Sequence, residues 1–239
     1  SSTGNHGDAD NGTIEDSTAV EDAGGTNQKT LNSGYLYTTS GGQKESEVSW
    51  SGSNHEASAA ILVFSASGAI SDIARRQWKA SESDGADPAS ATFDSTPEEG
   101  NLLVVSAFER SGTSEGSFTI TGSGWTKRIG RDTELGNAGA RRSFAIWTKT
   151  AGVSEPTTID VDNGTSNDKK ILIQEFVADD GAATWTFEDA TSSDTGTGSA
   201  SPLHTGTTSS ICAGDLWVVG IAGWRNDRNS PTDFTWSLG

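Results

Sequence analysis

The sequence predicts an all-β chain made of tandem antiparallel β-sandwich domains, about 110 residues per repeat. Three observations predict it. Short runs rich in β-branched and aromatic residues recur along the chain. Clusters of Gly, Ser, Thr, Asp and Asn separate them at short intervals, as in sandwiches and barrels. The pattern of runs then repeats itself.

In chain order the strand candidates are 47–50, 60–64, 102–105, 118–121, 143–147, 158–161, 171–176, 185–187 and 216–219. Residues 70–76 offer a single helical turn, or equally a strand entry. The first thirty-odd residues are polar and Gly/Asp-rich, and are expected to form a flexible arm or an irregular edge. Strand alternation places every second side chain in a core. Val104, Phe144, Ile146, Ile159, Val161, Ile171, Ile173 and Phe176 are therefore expected to be buried.

The repeat rests on four matches. Residues 58–64 correspond to 170–176, and 99–105 to 213–219. Residues 35–39 correspond to 145–149, and 117–121 to 233–237. All four keep their order at offsets of 110–116 residues, which points to duplication. The repeat sets domain limits: a back half of a copy over 1–73 with a polar N-terminal arm, a complete copy over 74–183, and a front half over 184–239. The front half is expected to complete residues 1–73 of the same or a neighbouring chain. With no Met and copies broken at both ends, the chain is expected to be a processed product or an excerpt of a longer polypeptide.

Within one copy the order of motifs is Gly100-Asn-Leu-Leu-Val-Val105, Gly124-Trp-Thr-Lys127, then Phe144-Ala-Ile-Trp-Thr-Lys-Thr-Ala-Gly152. Glu155-Pro-Thr-Thr158 and Ile171-Leu-Ile-Gln-Glu-Phe176 follow. This order resembles the tandem jelly-roll-like β-sandwich domains of bacteriophage virion and fibre proteins and of large bacterial surface proteins. The resemblance spans nearly the whole chain, and its motifs are strand cores and a Gly-Trp turn. It implies a β-sandwich and a role in appendages, decoration or attachment. It brings no catalytic residue with it. The second copy departs by reaching Gly239 before any Gly-Trp-Thr equivalent.

Composition narrows the partners. A net charge of -17 repels phosphate backbones and anionic membranes, so neither nucleic acid binding nor membrane insertion is expected. No apolar run reaches the length of a membrane span, and no signal peptide is visible. Cys212 is the single cysteine, so no intrachain disulfide can form, and it reads as a buried, inert thiol. Few oxidisable side chains suit an extracellular, cell-surface or virion location.

Chemistry-bearing motifs are few. Gly112-Thr-Ser114-Glu-Gly116 matches the nucleophile-elbow pattern, but a strand follows it where a helix is needed. His6, His55 and His204 are scattered without metal-ligand spacing. Asp160, Asp162 and Asp168 flank an Asn163-Gly164 turn, a candidate oxygen-rich loop for calcium that competes with a plain hairpin. Asn11-Gly-Thr13 and Asn163-Gly-Thr165 are glycosylation acceptor patterns or turns. Seven Trp, at 78, 125, 147, 185, 217, 224 and 236, are expected mostly in the core, with a sugar-stacking face as the other reading. Apart from calcium no cofactor is expected.

These features favour a non-enzymatic structural subunit of an extracellular or viral fibre, filament or decoration layer, self-associating head-to-tail. The alternative is a carbohydrate-binding or adhesive surface module, with a glycan as partner.

Overall fold

The structure is a computed structural model. It describes residues 14–21, 28–37, 46–49, 55–67, 73–83, 85–111, 118–134, 141–164, 169–178, 184–194, 203–204, 208, 216–225 and 235–238. Among them there is no helix. The strands are β1 (Ile14–Glu21), β2 (Gln28–Tyr37), β3 (Ser46–Ser49), β4 (His55–Ser67), β5 (Ile73–Ser83), β6 (Ala89–Thr92), β7 (Leu102–Ser111) and β8 (Thr119–Ile120). Then come β9 (Thr126–Glu134), β10 (Arg141–Thr150), β11 (Thr158–Asp162), β12 (Lys169–Ala178), β13 (Thr184–Asp194), β14 (Leu203–His204), β15 (Leu216–Arg225) and β16 (Thr235–Leu238). All nine strand candidates fall within or overlap these elements. Residues 73–76, left between helical turn and strand entry, open β5.

The chain divides into two compact units. One is Ser67–Trp185, and the other joins Ser1–Ala66 to Thr186–Gly239.

In the contiguous unit a five-stranded sheet runs β5-β12-β7-β10-β9 and a three-stranded sheet runs β6-β11-β8, every pairing antiparallel. The two sheets share one apolar core. The small sheet and its flanks send in Ala89, Ala91, Phe93, Phe118, Ile159 and Val161. The large sheet sends in Leu103, Val105, Ala107, Ala145, Trp147, Ile171 and Ile173. Phe118 meets the Trp147 ring edge-on, with centroids 6.3 Å apart. Strands β6 and β11 bury alternate residues only, as half-covered strands do.

The large sheet is different: both of its faces are buried. Leu102, Val104, Phe108, Phe144, Ile146, Leu172 and Phe176 lie on the face away from the shared core and are as inaccessible as those on it. All eight residues expected in the core are buried, but in two sets. Ile159, Val161, Ile171 and Ile173 lie in the shared core, and Val104, Phe144, Ile146 and Phe176 on the second face. Double burial explains why β7 and β12 read as nearly continuous apolar runs. Strand β5, at the sheet edge, carries Arg75, Arg76 and Lys79, charges that guard an open edge against pairing with another chain.

The turn between β8 and β9 needs glycine. Gly122 and Gly124 have φ of 90° and 85°, and a Cβ on Gly124 would stand 3.2 Å from Lys149 Cε.

In the discontinuous unit a five-stranded sheet runs β1-β2-β15-β4-β13, beside a three-stranded sheet β14-β3-β16. Strand β15 pairs antiparallel with β2 on one side and β4 on the other. Ala60, Ile61, Leu62, Val63 and Phe64 are buried along β4, and Leu31 and Tyr35 along β2. Within the stretch expected to be a polar arm, β1 is a paired edge strand whose register shifts between Glu15 and Thr18.

Replacing the fully buried Phe108 by Ala is expected to cost about 3–5 kcal/mol, read from the urea midpoint. A loss under about 1 kcal/mol would place the ring outside the core.

Candidate functional site

Strand β12 alternates its side chains, so Lys169, Ile171, Ile173 and Glu175 share a face, and Lys170, Leu172 and Gln174 take the other. Four of these seven are polar or charged, and all four have no solvent exposure. A buried charge is costly unless it is paired, so their partners define the polar sites of the contiguous unit.

Glu175 is the acceptor at one end. It takes hydrogen bonds from Asn101 Nδ2 at 2.6 Å, from the Glu98 backbone N–H at 2.9 Å, from Arg76 Nη1 at 3.3 Å and from Gln77 Nε2. Arg76 Nη2 also pairs with Glu98 Oε1 at 2.6 Å. Gln77 clamps the same loop: its Nε2 donates to the Ser95 carbonyl at 3.1 Å, and its Oε1 accepts from the Ser95 N–H at 3.2 Å. The loop between β6 and β7 is thus stitched to β5 and β12. Trp185 Nε1 adds a bond to the Gly100 carbonyl at 3.0 Å.

Lys169 is the cation at the other end. Its Nζ lies 2.9 Å from Asp87 Oδ1 and reaches the Ala86 carbonyl at 3.5 Å. Glu109, also without exposure, stands directly opposite Lys169 on β7. Asn163 Nδ2 donates to Glu109 Oε2, so the amide of this glycosylation pattern is engaged inside the unit. Asp162 Oδ1 accepts the Gly164 N–H at 2.6 Å, and the Asp87 side chain lies near the Asp162 carboxyl. The Gly164 N–H first, then the Asp87 contact, hold the Asp162 carboxyl below the usual carboxylate range. Partial burial opposes them, and the Lys169 ammonium adds to them.

Two further ion pairs flank these. Lys170 Nζ lies 2.9 Å from Glu82 Oε1, without hydrogen-bond geometry. Lys149 Nζ donates to Glu155 Oε1 at 2.6 Å, while the other Glu155 oxygen accepts from the Gly152 N–H at 3.0 Å.

Of the candidate calcium residues, Asp160 and Asp162 share the outer face of β11, and Asp160 Oδ1 accepts from Ser90 Oγ at 2.6 Å. Asp168 lies outside the described residues. Among the described residues no group of three His, Cys, Asp or Glu is gathered as a metal cage. Ser114, His6 and Cys212 also lie outside them, and His55 and His204 are described in backbone only.

Of the Trp side chains described, Trp147 is buried, with Lys127 Nζ 5.1 Å from its ring centre. Trp125 packs partly buried against the shared core. Trp78 is 37% exposed on β5, with the Arg75 guanidinium 5.5 Å from its ring centre.

Sequence reasoning missed Glu175, Lys169 and Glu109. A signal was present. Gln174 and Glu175 interrupt an otherwise apolar strand, where the matching run 58–64 has Leu62 and Val63. Comparison with protein-family models, with curated proteins and with solved structures gave no match.

Glu175→Leu is expected to cost about 3–5 kcal/mol, because it removes the acceptor of Asn101 Nδ2 and the Glu98 N–H and one partner each of Arg76 and Gln77. Unfolding in urea measures it, and Glu175→Gln, which keeps an acceptor oxygen, should lose less. By NMR titration Asp162 should ionise below the range of an exposed Asp. Its contribution to stability is present above the unfolded-state pKa and is lost as pH falls through the lower folded value.

Proposed function

We propose that the chain is a non-enzymatic structural module of an extracellular or viral fibre, filament or decoration layer, built from duplicated β-sandwich repeats of jelly-roll type. The observation that carries the reading is the sharing of one sheet by the two ends of the chain. Strand β15, from residues 216–225, lies between β2 and β4, from residues 28–37 and 55–67. The same surfaces could complete one another between neighbouring chains, head-to-tail, and such a contact propagates because it does not close on itself.

The strand orders support the duplication. The sequence matches pair β12 with β4, β7 with β15, β10 with β2 and β8 with β16. With the other strands placed by chain order, β5-β12-β7-β10-β9 corresponds to β13-β4-β15-β2-β1, and β6-β11-β8 to β14-β3-β16. Registers agree too. Phe176 stands opposite Leu102 as Phe64 does opposite Leu216, and Ile173 opposite Val105 as Ile61 opposite Val219. In the small sheets Val161 pairs with Ile120 as Val48 pairs with Trp236. One match departs. Tyr37 faces Leu216 where Thr150 faces Leu102, three residues away from the Trp147 that the sequence match assigns to Tyr37. An odd slide exchanges the faces of a strand, and we have no physical account of it.

A glycan-binding module is the second reading, favoured by the exposed Trp78 ring. Retention on a glycan array that Trp78→Ala abolishes would select it.

Light scattering and electron microscopy over a concentration series test assembly. Open-ended oligomers or filaments are expected, and a monomer at every concentration would overturn the fibre reading.

A further inference from the structure

The Lys169 corner is more than the fold requires. In the sheet of the discontinuous unit, Ala57 on β4 stands opposite Gly223 on β15. The sequence matches make these the counterparts of Lys169 and Glu109, which stand opposite each other on β12 and β7. The same strand pairing is therefore made with no charge at that place. Burying an ammonium and a carboxylate costs several kcal/mol per ion before pairing returns it, and an apolar replacement is commonly neutral or stabilising. Stability alone gives no reason for a lysine there.

Chemistry gives one. Lys169 and Glu109 point inward with the core-facing residues of β12 and β7, at one end of the shared core. Asp87 lies just before β6, whose Ala89 and Ala91 enter that core from the small sheet. The amine on the large sheet and the carboxyl at the entry to the small one are 2.9 Å apart, N to O. The Asp87 carboxyl is thus turned toward the Lys169 amine. The amine is held out of water, with no side-chain exposure, while Asp87 keeps 20%. Fixing the two groups at hydrogen-bond distance in this way replaces a bimolecular encounter by an intramolecular one.

We propose that Lys169 and Asp87 condense into an intramolecular isopeptide bond, a covalent staple between the two sheets of the contiguous unit. A proton passes from the ammonium to the carboxylate, giving a neutral amine and a carboxylic acid. The Nζ lone pair attacks Asp87 Cγ, forming the C–N bond and a tetrahedral centre. A proton moves from nitrogen to one hydroxyl oxygen, that C–O bond breaks, and one water leaves. One positive and one negative charge disappear together, nothing is oxidised or reduced, and no cofactor is consumed. Glu109, held by the Asn163 amide and facing Lys169 across the strand pair, is the proton relay and ends in its starting state. The bond forms within one folded chain, whatever that chain assembles into.

Intact mass spectrometry of the folded full chain tests it. The expected mass is that of the sequence less one water, and protease digestion yields a branched peptide joining the Asp87 segment to the Lys169 segment. Lys169→Arg and Asp87→Ala should each restore the full mass. Glu109→Gln, folded by circular dichroism, should accumulate unlinked chain and acquire the bond more slowly; linkage at the parental rate would remove Glu109 from the step. Succinimide formation at Asp84-Gly85 or Asp180-Gly181 also releases water but leaves both peptides linear. Folded parent chain that keeps its full mass after long incubation, or whose water loss maps to such a succinimide, overturns the proposal.

Discussion

The contiguous unit depends on one carboxylate. Glu175 has no exposure, yet it accepts hydrogen bonds from β5, from the loop before β7 and from the side chain that opens β7. That loop carries the chain from the small sheet to the large one, so the Glu98 and Asn101 bonds fix where β7 begins. Strand β7 lies between β12 and β10 in the large sheet. An error in its start would pass to both neighbours, since a slip of one residue exchanges the two faces of a strand. The carboxylate therefore sets register as well as filling a polar hole. Its charge makes the arrangement close to all-or-none: with any donor lost, a buried anion is left short of partners.

Double burial of the large sheet explains why such anchors are needed. A strand covered on one face can leave its polar residues in water. Strands β7 and β12 have no such outlet, so the charged side chains buried on them are paired within the fold, while Ser106 Oγ on β7 is buried without a hydrogen bond. Lys169 and Lys170 show the consequence, as neighbours on opposite faces with separate acidic partners, Asp87 and Glu82. Each partner comes from beyond the pair β7 and β12: Asp87 precedes β6, and Glu82 lies on β5. Ion pairs of this kind tie a sheet to its edge strand or to the facing layer. Apolar contacts alone would allow more than one arrangement of those pieces.

Much of the fold was legible in the sequence because its signals are local. Turn residues bounded the strands, and β-branched and aromatic runs marked their centres. The eight core positions could be named because bulky apolar side chains in such runs have few other fates. What was not legible depends on distant partners. Which partners meet the polar residues of a doubly covered strand cannot be seen from the strand itself, and Gln174 and Glu175 in β12 gave no hint of theirs. The candidate site was missed for the same reason. Asp87 carries no local signal, since its closeness to Lys169 arises only when the chain folds. The Asp160 and Asp162 pair stood out because it is local, and local carboxylates in a turn are the pattern a cation loop shares with an ordinary hairpin.

The two units differ in the order in which their contacts can form. The contiguous unit closes a single stretch of chain, whereas the sheet of the other unit needs β15 between strands from residues 28–37 and 55–67. Pairing across so long a stretch must first overcome a large loop-closure entropy. Folding of the contiguous unit shortens the effective loop by turning the intervening residues into a compact body. The sequence-distant sheet is then best formed second. Its strands β2 and β4, buried at Leu31, Tyr35 and Ala60 to Phe64, must wait for β15. In the structure that sheet is completed by the β15 of the same chain. Once the contiguous unit is compact, the tether holds β15 at a high effective concentration beside the two strands it must join.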